Sequence, residues 1–144
     1  MAERAGAAGF ERMERSADVG IRSWGDSPAE AFEQAALGLG DLMGIGVAVP
    51  DDHHTIMATA PDLEALLVEF LNELILLHES EGLGIGDVRV ELFDDAEPRL
   101  EAEVGVAPLP DAPGGRGVRS ATYHRLAVAP RPDGRTEARV YLDT

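Results

Sequence analysis

Leu63, Leu66, Leu67, Phe70, Leu71, Leu74 and Ile75 stand at i, i+3, i+4, i+7, i+8, i+11 and i+12. A helix puts all seven on one face, whereas a strand would scatter them over both. Pro61 and Asp62 open the run with the chemistry of a helix start. Each such side chain contributes roughly 1.5–3 kcal/mol when buried, so this face anchors the core. Glu64, Glu69 and Glu73 fall on the opposite, solvated face.

A second helix is predicted upstream. Ser27 is a good N-cap, Pro28 suits the first helical position, and Glu30 completes a capping box. Phe32, Ala35, Ala36, Leu39, Leu42 and Met43 recur at helical spacing, and Gly44 and Gly46 end the element. Gly38 and Gly40 inside it cost about 1 kcal/mol each unless something packs closely there. Short alternations predict strands over Phe10–Arg15, Val19–Ser23 and His54–Thr59. Beyond Gly82–Gly86 the texture changes to period two, with strands expected over Val88–Phe93, Leu100–Val106, Val118–Val128 and Ala138–Leu142. Pro108–Gly117 reads as a loop and Pro130–Gly134 as a turn. Two helices amid roughly seven strands predict a single α+β domain. Its largely antiparallel β-sheet packs in a layer against the two amphipathic helices, over residues 10–144, behind a flexible tail at residues 1–9.

The chain is 144 residues long, enough to bury a substantial core without cross-links. Cysteine is absent, which excludes disulfides, thiolate metal sites and cysteine nucleophiles. No segment has the length of a signal-peptide core or a membrane span, so a soluble, cytoplasmic protein is expected. Twelve basic against 27 acidic residues give a net charge of −15. That field repels phosphate backbones and argues against autonomous nucleic-acid binding. It suits docking onto a basic partner instead. Oligomeric state is not encoded in any pattern here.

Candidate chemistry begins at Asp18, a carboxylate between Ala17 and Val19 in what reads as a partly buried strand. An unpaired charge there costs several kcal/mol. Arg15 and Arg22 are possible partners for it. Asp143 lies one residue from the other end of the sequence, and terminal strands often close a sheet. If the two meet, they form with the main-chain and terminal oxygens of Thr144 a hard-oxygen site for Ca²⁺, Mg²⁺ or Mn²⁺. The plainer readings are a loop cap or ion pair for Asp18 and a frayed tail for Asp143. A single strand through Arg119–His124 places Arg119, Ala121 and Tyr123 on one face and Ser120, Thr122 and His124 on the other. His53 and His54, adjacent on a strand, point to opposite faces and read as surface. No G-x-S-x-G or Walker A motif occurs, and Gly82–Gly86 lacks the spacing of a dinucleotide fingerprint. No stand-alone enzyme is visible.

Five pieces in order carry a family resemblance. They are Ala17-Asp18-Val19-Gly20-Ile21; Gly25-Asp26 with Glu30-Ala31-Phe32; the helix from Asp62 to Leu74; Ala121-Thr122-Tyr123-His124; and the closing Leu142-Asp143. Together they resemble archease over residues 10 to 144. The resemblance implies a non-enzymatic protein that assists the GTP-dependent RNA ligase of tRNA splicing and RNA repair. It would promote guanylylation of the ligase histidine and multiple turnover. The metal-associated positions then fall on Asp18, Asp143 and Thr144, with calcium expected and magnesium or manganese as alternatives. Asp18, Arg119 and His124 fall where the partner is activated. Two positions depart from the family pattern. Arg15-Ser16 stands where histidine and threonine are usual, and Arg119-Ser120 where lysine and alanine are. Arginine and lysine are not interchangeable if the charge acts at a point. Two other readings compete: a chaperone-like interaction module for DNA- and RNA-processing proteins, and a metal-dependent hydrolase on the same carboxylates.

Overall fold

The computed structural model describes residues 7–14 and 17–144. The elements run β1 (Gly9–Met13), β2 (Val19–Gly25), α1 (Pro28–Met43), β3 (Asp52–Thr59), α2 (Leu63–Glu81), β4 (Leu83–Asp94), β5 (Arg99–Pro108), β6 (Ser120–Ala121), β7 (Ala127–Pro130) and β8 (Thr136–Asp143). The α+β class holds, with two antiparallel sheets rather than one. The first has the order β1-β2-β8-β6, with β7 also pairing β8, and the second has the order β3-β5-β4. Helix α1 packs against β2 of the first sheet and β4 of the second, and α2 against β3 and β6. Phe32 lies fully buried between the layers, 6.5 Å from the Phe70 ring and edge-on to Phe93 at 5.2 Å. One apolar cluster joins both helices and both sheets.

Both helix starts follow from local chemistry. The Ser27 hydroxyl accepts from the Glu30 amide, while the Glu30 carboxylate accepts from Asp26, one residue before the cap. Asp62 caps α2 by accepting from the Ala65 amide. The two helix-interior glycines differ in kind. A Cβ on Gly38 would meet Ile21 Cγ2 at 2.8 Å and the Phe10 ring at 3.0 Å, so its bareness lets β1 and β2 lie close on α1. Gly40 has no atom within 4 Å of such a Cβ. Gly40→Ala is therefore expected to raise stability by about 0.4–1 kcal/mol through the unfolded chain's lost freedom. Gly38→Ala is expected to lower it, and paired thermal melts check the opposite signs.

The 109–117 segment has no regular structure, as its composition suggests, but it is pinned. Gly115 crosses the end of α1 at Gly44, which caps the helix at φ 70°. The Arg116 amide donates to the Leu42 carbonyl at 2.9 Å, satisfying one orphan acceptor of the helix end. The Arg116 side chain reaches Glu14, 2.9 Å away. Hydrogen bonds from Arg116, and next from Arg12, hold the Glu14 carboxyl below the usual carboxylate range.

Three expectations are corrected. The second sheet's β4 starts at Leu83, so the glycines at 84 and 86 lie within a strand. The single strand over Val118–Val128 is broken into β6 and β7. Ser120 pairs with Asp143 and Ala121 with Leu142. Continuing that register would bring residue 124 opposite Arg139, where Ala127 stands instead. Three residues are looped out, and period-two alternation cannot register such an insertion. Of the expected N-terminal tail, residues 1–6 lie outside the described residues. The Ala7 carbonyl accepts from the Trp24 indole at 2.9 Å, and Gly9 pairs with Trp24 in β1.

Candidate functional site

The second strand of the chain, β2, and the last, β8, are direct neighbours. Val19 pairs with Leu142 in the antiparallel β2–β8 ladder, and one further step sets Asp18 opposite Asp143. Residues so placed have Cβ atoms about 4.5–5.5 Å apart, and like charges there are destabilising. Alternation carries Val19, Ile21, Val140 and Leu142 into the core. Asp18, Tyr141 and Asp143 thereby fall on the sheet's outer face.

Asp143 is the last residue of β8, and its carbonyl accepts from the Arg119 amide at 2.7 Å. The alternative of a frayed tail is thus overturned, and Arg119 is tied by its backbone to the same corner. The Thr122 amide and hydroxyl both donate to the Tyr141 carbonyl at 3.0 Å. There the chain leaves the ladder, and Arg125 takes a left-handed conformation (φ 52°). This excursion brings His124 Nε2 to 3.8 Å from Asp18 Oδ2. Tyr141 lies beneath it, with the His124 ring 5.6 Å away and the Arg125 guanidinium 5.9 Å from its centroid. The break in the strand is what allows His124 to reach Asp18.

Asp18 itself is exposed rather than partly buried, its side chain being 48 % accessible. It sits just before β2, so its charge stays largely hydrated and the expected burial penalty does not arise. Arg22 is not the partner proposed for it, since its guanidinium engages Glu11 at 2.8 Å and Glu137 at 3.1 Å. Arg15 and Ser16 lie outside the described residues. Of the histidine pair, His53 is exposed and 3.6 Å from Asp87, while His54 is half-buried on the same strand.

One contributing residue escaped the sequence reading. Asn72 of α2 accepts from the Ala121 amide at 2.7 Å and so docks β6 onto the helix. Its signal was available: an asparagine in mid-helix is unfavourable unless its side chain has work to do.

The donor chemistry fits a hard divalent cation in part. Backbone register sets Asp18 and Asp143 on the same outer face at neighbouring strand ends, and the main-chain oxygen of Thr144 follows directly. Among the described residues no group of three or more His, Cys, Asp and Glu is gathered as for a metal ion. Six to eight oxygens surround Ca²⁺, and Mg²⁺ commonly takes one or two carboxylates with water and phosphate oxygens. Two carboxylates on an exposed edge match a cation whose remaining ligands come from water or a partner. No helix of the described residues is long and apolar enough to cross a membrane.

Comparison with known proteins agrees with this fold. The model of the Archease protein family (MTH1598/TM1083) matches residues 10–144. Protein archease of Thermococcus gammatolerans is 38 % identical over 138 residues, spanning 93 % of this chain and 97 % of that protein. The solution structure of Methanobacterium thermoautotrophicum protein 1598 superposes with a TM-score of 0.75 at 27 % identity, covering 94 % of this chain and 99 % of that one. A Thermotoga maritima archease, described as a possible chaperone, shares the fold with a TM-score of 0.63 at 23 % identity, over 93 % and 96 % of the two chains. With its family model matched from β1 to the last residue and a relative this similar over nearly its whole length, the chain belongs to the archease family.

Proposed function

We propose that this chain is a cytoplasmic, non-enzymatic activator of a GTP-dependent RNA ligase. In this reading it promotes guanylylation of the ligase histidine and multiple turnover in tRNA splicing and RNA repair. The observation that supports it best is the pair of like charges, Asp18 and Asp143, set opposite each other at an exposed sheet corner. Such a pair is unfavourable in isolation and becomes favourable against a cation. Asp18, Asp143 and the Thr144 main-chain oxygen would hold a divalent ion, with calcium the family expectation and magnesium or manganese as alternatives. When bound, it supplies positive charge against which phosphate oxygens are stabilised.

The chain's own residues do the rest. The Arg119 amide, bonded to the Asp143 carbonyl, fixes the backbone beside the carboxylates and leaves its exposed side chain at that edge. His124 stands exposed on the looped-out segment, 3.8 Å from Asp18, and would meet the partner beside the carboxylates.

Ligase turnover at limiting activator tests the proposal. With Asp18→Ala the stimulated rate is expected to fall at least about tenfold, about 1.4 kcal/mol in barrier terms, with an unchanged melting temperature. Undiminished turnover would sink it. Rescue of several unrelated aggregation-prone clients, independent of Asp18, would favour a chaperone-like role instead.

A further inference from the structure

All twelve basic residues of the chain are arginines, and they are unevenly spread. The last 29 residues carry six of them against Asp133, Glu137 and Asp143, a local net charge of +3 within a chain of −15. Part of this excess converges with Arg22 on the outer face of the first sheet, well along β8 from the carboxylate corner. Arg22 and Arg139 are direct register partners across β2 and β8, two like charges where a sheet disfavours them. Arg131 joins them from the turn after β7.

Glu137 lies between the three. Its carboxylate is 3.1 Å from Arg22, 3.4 Å from Arg131 and 3.0 Å from Arg139. One carboxylate cannot neutralise three guanidiniums, and each guanidinium has five N–H donors to place. Arg22 has a further partner in Glu11 on the side away from β8. Trp24 fixes the forks further, with the Arg22 and Arg131 guanidiniums 5.4 and 5.5 Å from its ring centre. Arginine stacked on an aromatic face keeps its planar fork in a set direction. The indole is itself tied by its N–H to the Ala7 carbonyl.

Above this floor is a cleft of about 470 Å³, with Ala127, Ala129, Pro130 and Pro132 forming its apolar wall. Small-ligand clefts run from about 300 to 1,000 Å³. Preset guanidiniums with spare donors, beside an apolar wall, match a phosphate carried on a small organic group. The acidic remainder of the molecule does not cancel this field. Screening at physiological salt acts within about 8 Å, so carboxylates on the second sheet and α2, beyond the core, act weakly here.

We propose that Arg22, Arg131 and Arg139 form a phosphate-binding site, distinct from the Asp18–Asp143 corner. Trp24 holds the Arg22 and Arg131 forks in place, and Glu137 competes with the ligand for all three. The chemistry recognised is a di- or triphosphate, either free as pyrophosphate or carried by a nucleoside whose organic part rests on the Ala127–Pro132 wall.

The chain supplies its own reporter, because Trp24 is its one tryptophan. Titrating the full protein with pyrophosphate and with GTP is expected to give a saturable change in Trp24 fluorescence, matched by calorimetry. Equal affinities identify the free anion as sufficient, whereas tighter GTP binding identifies the nucleoside as part of the ligand. Loss of one charge-assisted contact commonly costs tenfold or more, so Arg131→Gln with Arg139→Gln is expected to weaken binding by at least about tenfold. Glu137→Gln removes the competitor and is expected to tighten it. Asp18→Ala should leave it untouched, which separates this site from the proposed activator function. No saturable signal up to about 10 mM in either the unaltered chain or Glu137→Gln would overturn the proposal, as would equal binding by the double arginine variant with its fold intact.

Discussion

Gly115→Ala is expected to lose roughly 3 kcal/mol of stability and to lower the melting midpoint by roughly 6–12 °C. The new Cβ would run into the Leu42 carbonyl oxygen and the Met43 carbonyl carbon, and lie 2.5 Å from the Gly44 amide. These are backbone atoms at the end of α1, so no side-chain rotation relieves the clash. Opening the crossing would also strip the Arg116 amide from the Leu42 carbonyl, returning an orphan acceptor to the helix end. Gly117→Ala, two residues away with open space around it, is the control and should change stability by no more than about 0.5 kcal/mol. Gly44→Ala damages the same contact from the other side and adds left-handed strain at φ 70°. The two effects share one cause, so the double variant should lose less than the sum. Denaturant melts of the four proteins check this. A Gly115→Ala variant as stable as the Gly117 control would show that the loop does not seal the helix.

The second large effect is expected at Asn72. Asn72→Ala removes the acceptor for the Ala121 amide, in a residue that is itself buried, and an unmet donor there costs about 1–3 kcal/mol. The damage should extend beyond stability. β6 has two residues, held on one side by β8 and on the other by this hydrogen bond and the burial of Ala121 against the core. Loosening it frees the backbone at Ser120 and Arg119, whose amide meets the Asp143 carbonyl. Amide exchange should therefore accelerate at Arg119 and Ala121 well before the core opens, and ligase activation should fall with it. Asn72→Asp keeps an acceptor oxygen and should retain most of both properties. Equal losses for the alanine and aspartate variants would mean that the hydrogen bond is not what docks the strand.

The parts of the fold legible in the sequence were those decided within a few residues. Ser27 and Asp62 cap their helices because a cap needs a side-chain oxygen and an amide three residues on. From Leu66 to Ile75 the α2 stripe is buried because its period leaves it no alternative. The juxtaposition of Asp18 and Asp143 was legible for a different reason: strands from the two ends of the chain share one sheet, although it is the second strand, β2, and not the first, that lies beside β8. What sequence could not convey was partner choice. Arg22 is four residues from Asp18, yet its face of β2 lies over Glu11 and Glu137, and ladder register decides that. Nor did alternation foresee that Tyr123, His124 and Arg125 leave the sheet, because the interruption has no glycine or proline to announce it. The α1 glycines illustrate the same divide. Their helical cost was readable, while the difference between Gly38 and Gly40 depended on where β1 and β2 lie.

That interruption has an arithmetic of its own. Thr122 still bonds to Tyr141, and Ala127 pairs with Arg139, which leaves Leu126 facing the place opposite Val140. Tyr123, His124 and Arg125 are thus a closed detour: the chain rejoins its course in the register it would have kept had those three residues never been inserted. The sheet owes them no pairing and they owe it no alternation. A corner built this way can change its side chains, or its length, while the ladder beneath runs on unaltered. In this molecule the chemistry of the tip and the integrity of the scaffold are separate inheritances.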